Sequence, residues 1–180
     1  AYGWRWRNQF GRDQISEVVK LLHQDGSNRQ GVVLAWDPGN DGLLAKTKLN
    51  VPCPMGFVAN IIGGKLNLHN LVRSNDMILG FPHDVAGFAL LQRILAGYLG
   101  VGVGKYTHSM SHAHIYDIHD DAAKAMMGRR AKSSKIRLEP KKDWLKRAMR
   151  GDRELVIEIV SELERQYKPL AVIPGLKIVQ

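Results

Sequence analysis

The chain has 180 residues, 44% of them hydrophobic, enough for one core and too few for two ordinary domains. Its formal charge of +9 invites an anionic partner such as nucleotide phosphate, polyglutamate or nucleic acid. The single cysteine excludes an internal disulfide framework and suits a reducing compartment. No run is apolar and long enough for a signal peptide or a membrane span, so a cytoplasmic, non-membrane protein is expected.

Ile15, Val18, Val19 and Leu22 recur at helical spacing and predict an amphipathic helix over about residues 12–24, stopping near Asp25-Gly26. Gly31 to Trp36 reads as a buried strand, and Asp37-Pro38-Gly39-Asn40 as a turn followed by a polar stretch that leads to Cys53. Gly56 to Ile62 and Lys65 to Arg73 are strand-like and flank Gly63-Gly64, a pair suited to the positive φ angles of a tight hairpin.

Asp84 to Leu99 predicts a mostly buried helix closed by Gly100, with Gly102-Val103-Gly104 as a loop. Alternation from Thr107 to Tyr116 places His108, His112, His114 and Tyr116 on one strand face. Between Lys124 and Arg150 the positive charge concentrates, with Lys132, Lys135, Lys141 and Arg147 among residues that face little acid nearby. That run lacks the aromatics that stack bases, so a solvated surface is expected and nucleic acid is not the expected partner. Asp152 is positioned to cap a helix carrying Leu155, Val156, Ile159, Val160 and Leu163, and the tail Leu170 to Val179 reads as extended. Helices and strands interleave without a regular βαβ rhythm and with one clear hairpin, which argues for an α/β (α+β) fold with a mixed sheet and packed helices.

Four groups of residues carry chemistry: Pro52-Cys53; Arg73-Ser74-Asn75-Asp76; Gly80-Phe81-Pro82-His83-Asp84; and His112-Ala113-His114-Ile115-Tyr116. By residue type alone a lone cysteine is usually an inert buried thiol, and His108, His112 and His114 on one face are a possible metal-ligand set. Taken in this order and spacing, the four groups resemble the thymidylate synthase superfamily from about Tyr2 to His119, with the C-terminal third fitting poorly apart from a short tail, Tyr167 to Val179. The resemblance implies a thymidylate synthase-like fold that dimerises through its sheet. It also implies one domain over residues 1–180 that lacks an upstream N-terminal part, because the family's general-base glutamate, a further phosphate arginine and a tryptophan precede the position of Tyr2.

By that resemblance Cys53 is the thiolate that adds to C6 of a pyrimidine nucleotide, and 5,10-methylenetetrahydrofolate is the source of the one-carbon unit. Arg73 and Ser74 match phosphate-binding residues, and Arg73 is expected to favour the thiolate by its charge. Asp76 matches an aspartate at the pyrimidine ring, and His114 with Tyr116 a pair that holds the sugar 3′-hydroxyl. Arg29 matches the first of two adjacent arginines that reach the phosphate from the partner of a homodimer; Gln30 stands in place of the second. The resemblance uses no metal, and none is expected.

Asp84 stands where thymidylate synthases have asparagine. An amide complements uracil O4 and N3–H, whereas cytosine presents an amino donor and an unprotonated N3, which a carboxyl that shares a proton matches. The chain is therefore closest in motif to the cytidylate (dCMP or CMP) hydroxymethylases. Capping of the predicted helix by Asp84 is compatible with that role. Two other readings stay open: a thymidylate synthase that methylates dUMP, and a non-catalytic relative that binds nucleotide or RNA.

Overall fold

The computed structural model describes residues 2–43, 51–130 and 136–179. Lys132 and Lys135 of the basic run, and most of the polar stretch ahead of Cys53, lie outside them. The chain opens with α1 (Tyr2–Trp4), which runs into a π-helical turn, Arg5–Gln9. Trp6 on this turn meets Phe57 and Phe88, each at 5.6 Å between ring centroids, and those two rings meet at 6.1 Å, all in tilted or edge-on contacts. Arg5 adds a two-nitrogen grip on Asp41 at 2.5 and 3.0 Å. Asp41 is almost fully buried, so removal of Arg5 alone leaves a stranded charge and costs about 3–5 kcal/mol.

Asp13 caps α2 (Gln14–Gln24) by accepting from the Ser16 N–H at 3.0 Å, and Ile15, Val18, Val19 and Leu22 are its buried face, as their spacing predicts. Then β1 (Val32–Leu34) pairs antiparallel with β2 (Pro54–Ile62), which turns at Gly63-Gly64 into β3 (Lys65–Val72). The two glycines have φ of 57° and 71°, the conformation that a two-residue hairpin turn requires. A long helix, α3 (Gly80–Leu99), carries the chain over the sheet to β5 (Gly102–Met110), which lies parallel to β3. The sheet order β1-β2-β3-β5 is thus mixed, with the core between its inner face and α2 and α3. Gln92 of α3 is buried and donates to the Leu66 carbonyl of β3 and the Lys105 carbonyl of β5, tying helix to both strands.

Three boundaries differ from the sequence reading. The Gly102–Gly104 stretch is the start of β5 and not a loop. A Cβ on Gly104 would stand 2.5 Å from the Asn67 side chain and 2.8 Å from the Leu66 carbonyl, so glycine permits a close strand approach at an irregularity in the pairing. β5 ends at Met110, and after Ser111-His112 a separate two-residue strand, β6 (Ala113–His114), pairs with β4 (Asn75–Asp76). His108 is therefore not on one continuous strand face with His112, His114 and Tyr116.

Similarly, α3 begins at Gly80, four residues before Asp84. Pro82 sits in its first turn, where a missing N–H costs nothing. The N–H groups of Ile78 and Leu79 are taken by Asp76, at 2.9 and 3.3 Å. Asp84 lies inside the helix and does not cap it.

The C-terminal part comprises α4 (Asp120–Met127), α5 (Trp144–Met149) and α6 (Arg153–Gln166), the last capped by Asp152 as expected. Trp144, Leu145, Leu155 and Ile159 join the core. The basic run is not left uncompensated: Arg147 pairs with Asp152 and Glu158, each at 2.7 Å, and Lys141 also binds Glu158. These acids lie just beyond the run in sequence and return to it through α6. No helix among the described residues is long and apolar enough to cross a membrane.

Candidate active site

Cys53 lies immediately before β2, half-buried, and the loop after β3 closes beside it: the Arg73 N–H donates to the Cys53 carbonyl at 3.0 Å. Arg73 Nε donates to the Pro52 carbonyl at 2.9 Å, and its guanidinium lies 5.7 Å from the centre of the Trp36 ring. No carboxylate among the described residues pairs with it, which leaves its charge available to an anion. Asp84 belongs to the same centre, since its carboxylate acts electrostatically on the Cys53 thiol.

The β4–β6 pair brings the remaining residues in. The Asn75 N–H donates to the His112 carbonyl and the Met77 N–H to the His114 carbonyl, so the arginine-serine loop and the histidine-tyrosine segment are bound edge to edge. Ser74 Oγ stands 3.4 Å from His114 Nδ1. The rings of His112, His114, Tyr116 and His119 follow one another at centroid distances of 5.3, 4.9 and 6.2 Å. His108 instead faces Asn75, and no three His, Cys, Asp or Glu side chains among the described residues converge as a metal-ion site. Both oxygens of Asp76 are engaged by backbone N–H groups, so this carboxylate is held rigidly at the head of α3.

Arg29 is not brought to this centre. It is exposed in the turn between α2 and β1, among Asp25, Ser27, Asn28 and Gln30. β1 pairs Val32 with Val58, so Arg29 lies toward the Gly63-Gly64 end of β2 while Cys53 adjoins its other end, roughly 20 Å or more away at the rise of an extended strand.

At Cys53 the arginine acts in the expected direction but does not prevail. Arg73 does pull the thiol toward ionisation, but burial outweighs it and Asp84 adds to burial, so the thiol stands above its ordinary value. Burial likewise pushes the Asp84 carboxyl up, against the opposing effects of Asn75, His108 and His83.

The sequence reading missed Tyr2 as a site residue. Its hydroxyl is close to the Cys53 backbone, senses Cys53, Asp84 and Arg73, and is pushed up to about 12, chiefly by burial. Nothing near Tyr2 in sequence announces this, because the hydroxyl arrives only through the packing of Trp6 on Phe57 and Phe88.

The mixed α/β domain thus gathers, beside the ends of β2 and β3, a thiol, an arginine without a carboxylate partner among the described residues, a carboxyl and a half-buried phenol. The chain matches the family model described as Thymidylate synthase over residues 1–156, and it belongs to that family. The match runs past His119 and takes in α4, α5 and the start of α6, further than the motifs alone reach. A thymidylate synthase of Haloferax volcanii is 36% identical over 115 residues, which are 63% of this chain and 32% of that relative. The chain thus spans about a third of the length of that curated relative.

Proposed function

We propose that the chain carries the nucleophile and nucleotide-binding residues of an enzyme that transfers a one-carbon unit to C5 of a pyrimidine nucleoside monophosphate, and that its substrate is a cytidylate, CMP or dCMP, converted to the 5-hydroxymethyl nucleotide. Cys53 adds to C6, which makes C5 a carbon nucleophile, and leaves at the end. Arg73 and Ser74 take the phosphate, His114 and Tyr116 the sugar, Asp76 lies at the ring, and Asp84 reads the base. When bound, 5,10-methylenetetrahydrofolate supplies the one-carbon unit. Cys53 keeps part of its surface open, the opening that a base over the sulfur and a co-substrate beyond the base both require.

One observation carries the choice of base. Asp84, which we assign to the base, is a carboxyl where the family has asparagine, and one of its oxygens already accepts from Asn75 at 2.9 Å. A carboxyl that shares a proton suits cytosine N3 and its amino group, and an ionised one repels uracil O4. Methylation of dUMP is the second reading, favoured by the name of the Haloferax relative. Product analysis with CMP, dCMP, UMP and dUMP in the presence of the folate decides between them. A 5-hydroxymethyl product from a cytidylate supports the first, and a methylated product from dUMP alone replaces it with the second.

The same reading makes the working unit a homodimer formed through the sheet. Two features support it: Arg29 is out of reach of its own Cys53, and the sheet face turned away from the helices exposes Val32, Leu34, Ile62 and Leu71. Subunits bearing Arg29→Ala, mixed with subunits bearing Cys53→Ala, should regenerate activity that neither has alone. An active protein that sediments strictly as a monomer rules the arrangement out.

A further inference from the structure

Tyr106 and His108 have no part in the proposed reaction, yet an unbroken line of hydrogen bonds joins them to Asp84. The Tyr106 hydroxyl lies 2.8 Å from His108 Nδ1, and His108 Nε2 lies 2.8 Å from Asn75 Oδ1. Asn75 Nδ2 donates to Asp84 Oδ2 at 2.9 Å. Asn75 is only 1% exposed, so bulk water replaces neither of its partners.

The polarity of the line follows from its end. An ionised carboxylate only accepts, so the amide must present its NH2 to Asp84. The Asn75 carbonyl then turns to His108 and requires a hydrogen on Nε2. In a neutral imidazole that leaves Nδ1 as an acceptor, which the Tyr106 O–H fills. Burial holds His108 below its ordinary value and so favours this neutral form. Phe81 packs edge-on against the ring at 5.3 Å and limits its rotation. With the amide reversed, two acceptors would face each other unless Asp84 took up a proton.

We propose that Tyr106 and His108 are positioning residues for base recognition, which act through Asn75: they lock its NH2 toward Asp84, keep Oδ2 as an acceptor, and leave Oδ1 for the cytosine edge. The inference rests on the reading of Asp84 as the residue that meets the base. Locked in this way, the carboxyl favours a 4-amino donor and disfavours the 4-carbonyl of a uridylate. Without the lock the amide is free to reverse, and much of the discrimination goes with it.

The test compares binding of dCMP, dUMP, CMP and UMP by calorimetry in wild type, His108→Phe and His108→Gln. Phenylalanine keeps a ring against Phe81 and removes both nitrogens, and glutamine restores a donor near the place of Nε2. His108→Phe should lower the preference for cytidylate over uridylate by on the order of tenfold, the effect of one lost buried hydrogen bond. His108→Gln should recover most of it, and in an Asp84→Asn background His108→Phe should leave the preference unmoved. A preference unchanged in His108→Phe, or equal weakening for both bases, overturns the proposal. The ring itself separates this failure from failure of the parent reading. Imidazole 15N shifts that put the proton on Nδ1 overturn the line of donors even in a protein that prefers cytidylate, whereas a uridylate preference with the proton on Nε2 overturns the reading of Asp84.

Discussion

Around Asp84 the polar groups converge on one fully buried amide with a single orientation, whereas around Glu158 partly exposed side chains hold one another in charged pairs that can be exchanged. Asn75 is sealed between Asp84 and His108, and neither contact has a substitute. Glu158 is shared by Lys141 and Arg147, and Arg147 has Asp152 as well, so each charge has alternatives and solvent besides. Burial, more than the number of contacts, decides which cluster specifies a geometry and which merely neutralises a surface.

The largest expected effect is at the centre that the buried cluster serves. Cys53→Ala should abolish tritium release from C5 of the substrate while nucleotide binding remains measurable, because addition at C6 precedes loss of the C5 proton. Exchange at the wild-type rate sinks the nucleophile assignment. Asn75→Leu should follow, with a loss on the order of 2–4 kcal/mol in urea unfolding, since two buried partners are left unmet. A loss below about 0.5 kcal/mol would show that water enters and that the cluster is not sealed.

Asp84→Asn sharpens the comparison from the side of charge. Its carboxylate raises the Cys53 thiol, so the amide should move the pH profile of iodoacetamide alkylation to lower pH, by a modest step because burial remains the main cause. A shift to higher pH contradicts the electrostatic coupling. The smallest effect belongs to the partly exposed cluster. Glu158 is drawn down to about 2 from its ordinary 4.5 by Lys141 and Arg147, so its contribution is present above pH 4.5 and disappears as pH falls through about 2. Glu158→Gln should lower the thermal midpoint at pH 7 by a small step, since water screens these pairs, and should remove the same small step from the loss seen as pH falls from 4.5 to about 2. A large loss at pH 7 would place Glu158 with the buried class.

Local chemistry made α2, the Gly63-Gly64 hairpin, the Gly100 stop and the Asp152 cap readable, because each depends on residues within one turn of the chain. The start of β5 was not readable, since glycines that admit a close strand have the same composition as a loop. Pro82 hid the first turn of α3 for the same kind of reason. At the site, the ordered motifs named Cys53, Arg73, Ser74, Asp84 and His114, and the fold brings these together. Tyr2 and the Tyr106–His108–Asn75 line depend on contacts across the sheet and carried no signal in the sequence. Arg29 was legible as a residue but not as one that its own chain leaves far from the thiol.

The environment of the half-buried Cys53, where burial and Asp84 hold the thiol above its ordinary value, bears on more than nucleophilicity. Peroxide attacks the thiolate, and a sulfenic acid is rescued most readily by a second thiol, which this chain of one cysteine does not contain. Where no other thiol intervenes, the next oxidation to the sulfinic acid is permanent. A thiol kept above its ordinary value by burial and by Asp84 therefore spends its resting life in the form that oxidants ignore. On the proposed reading of Cys53 as nucleophile, the features that slow it before substrate binds also preserve it between turnovers.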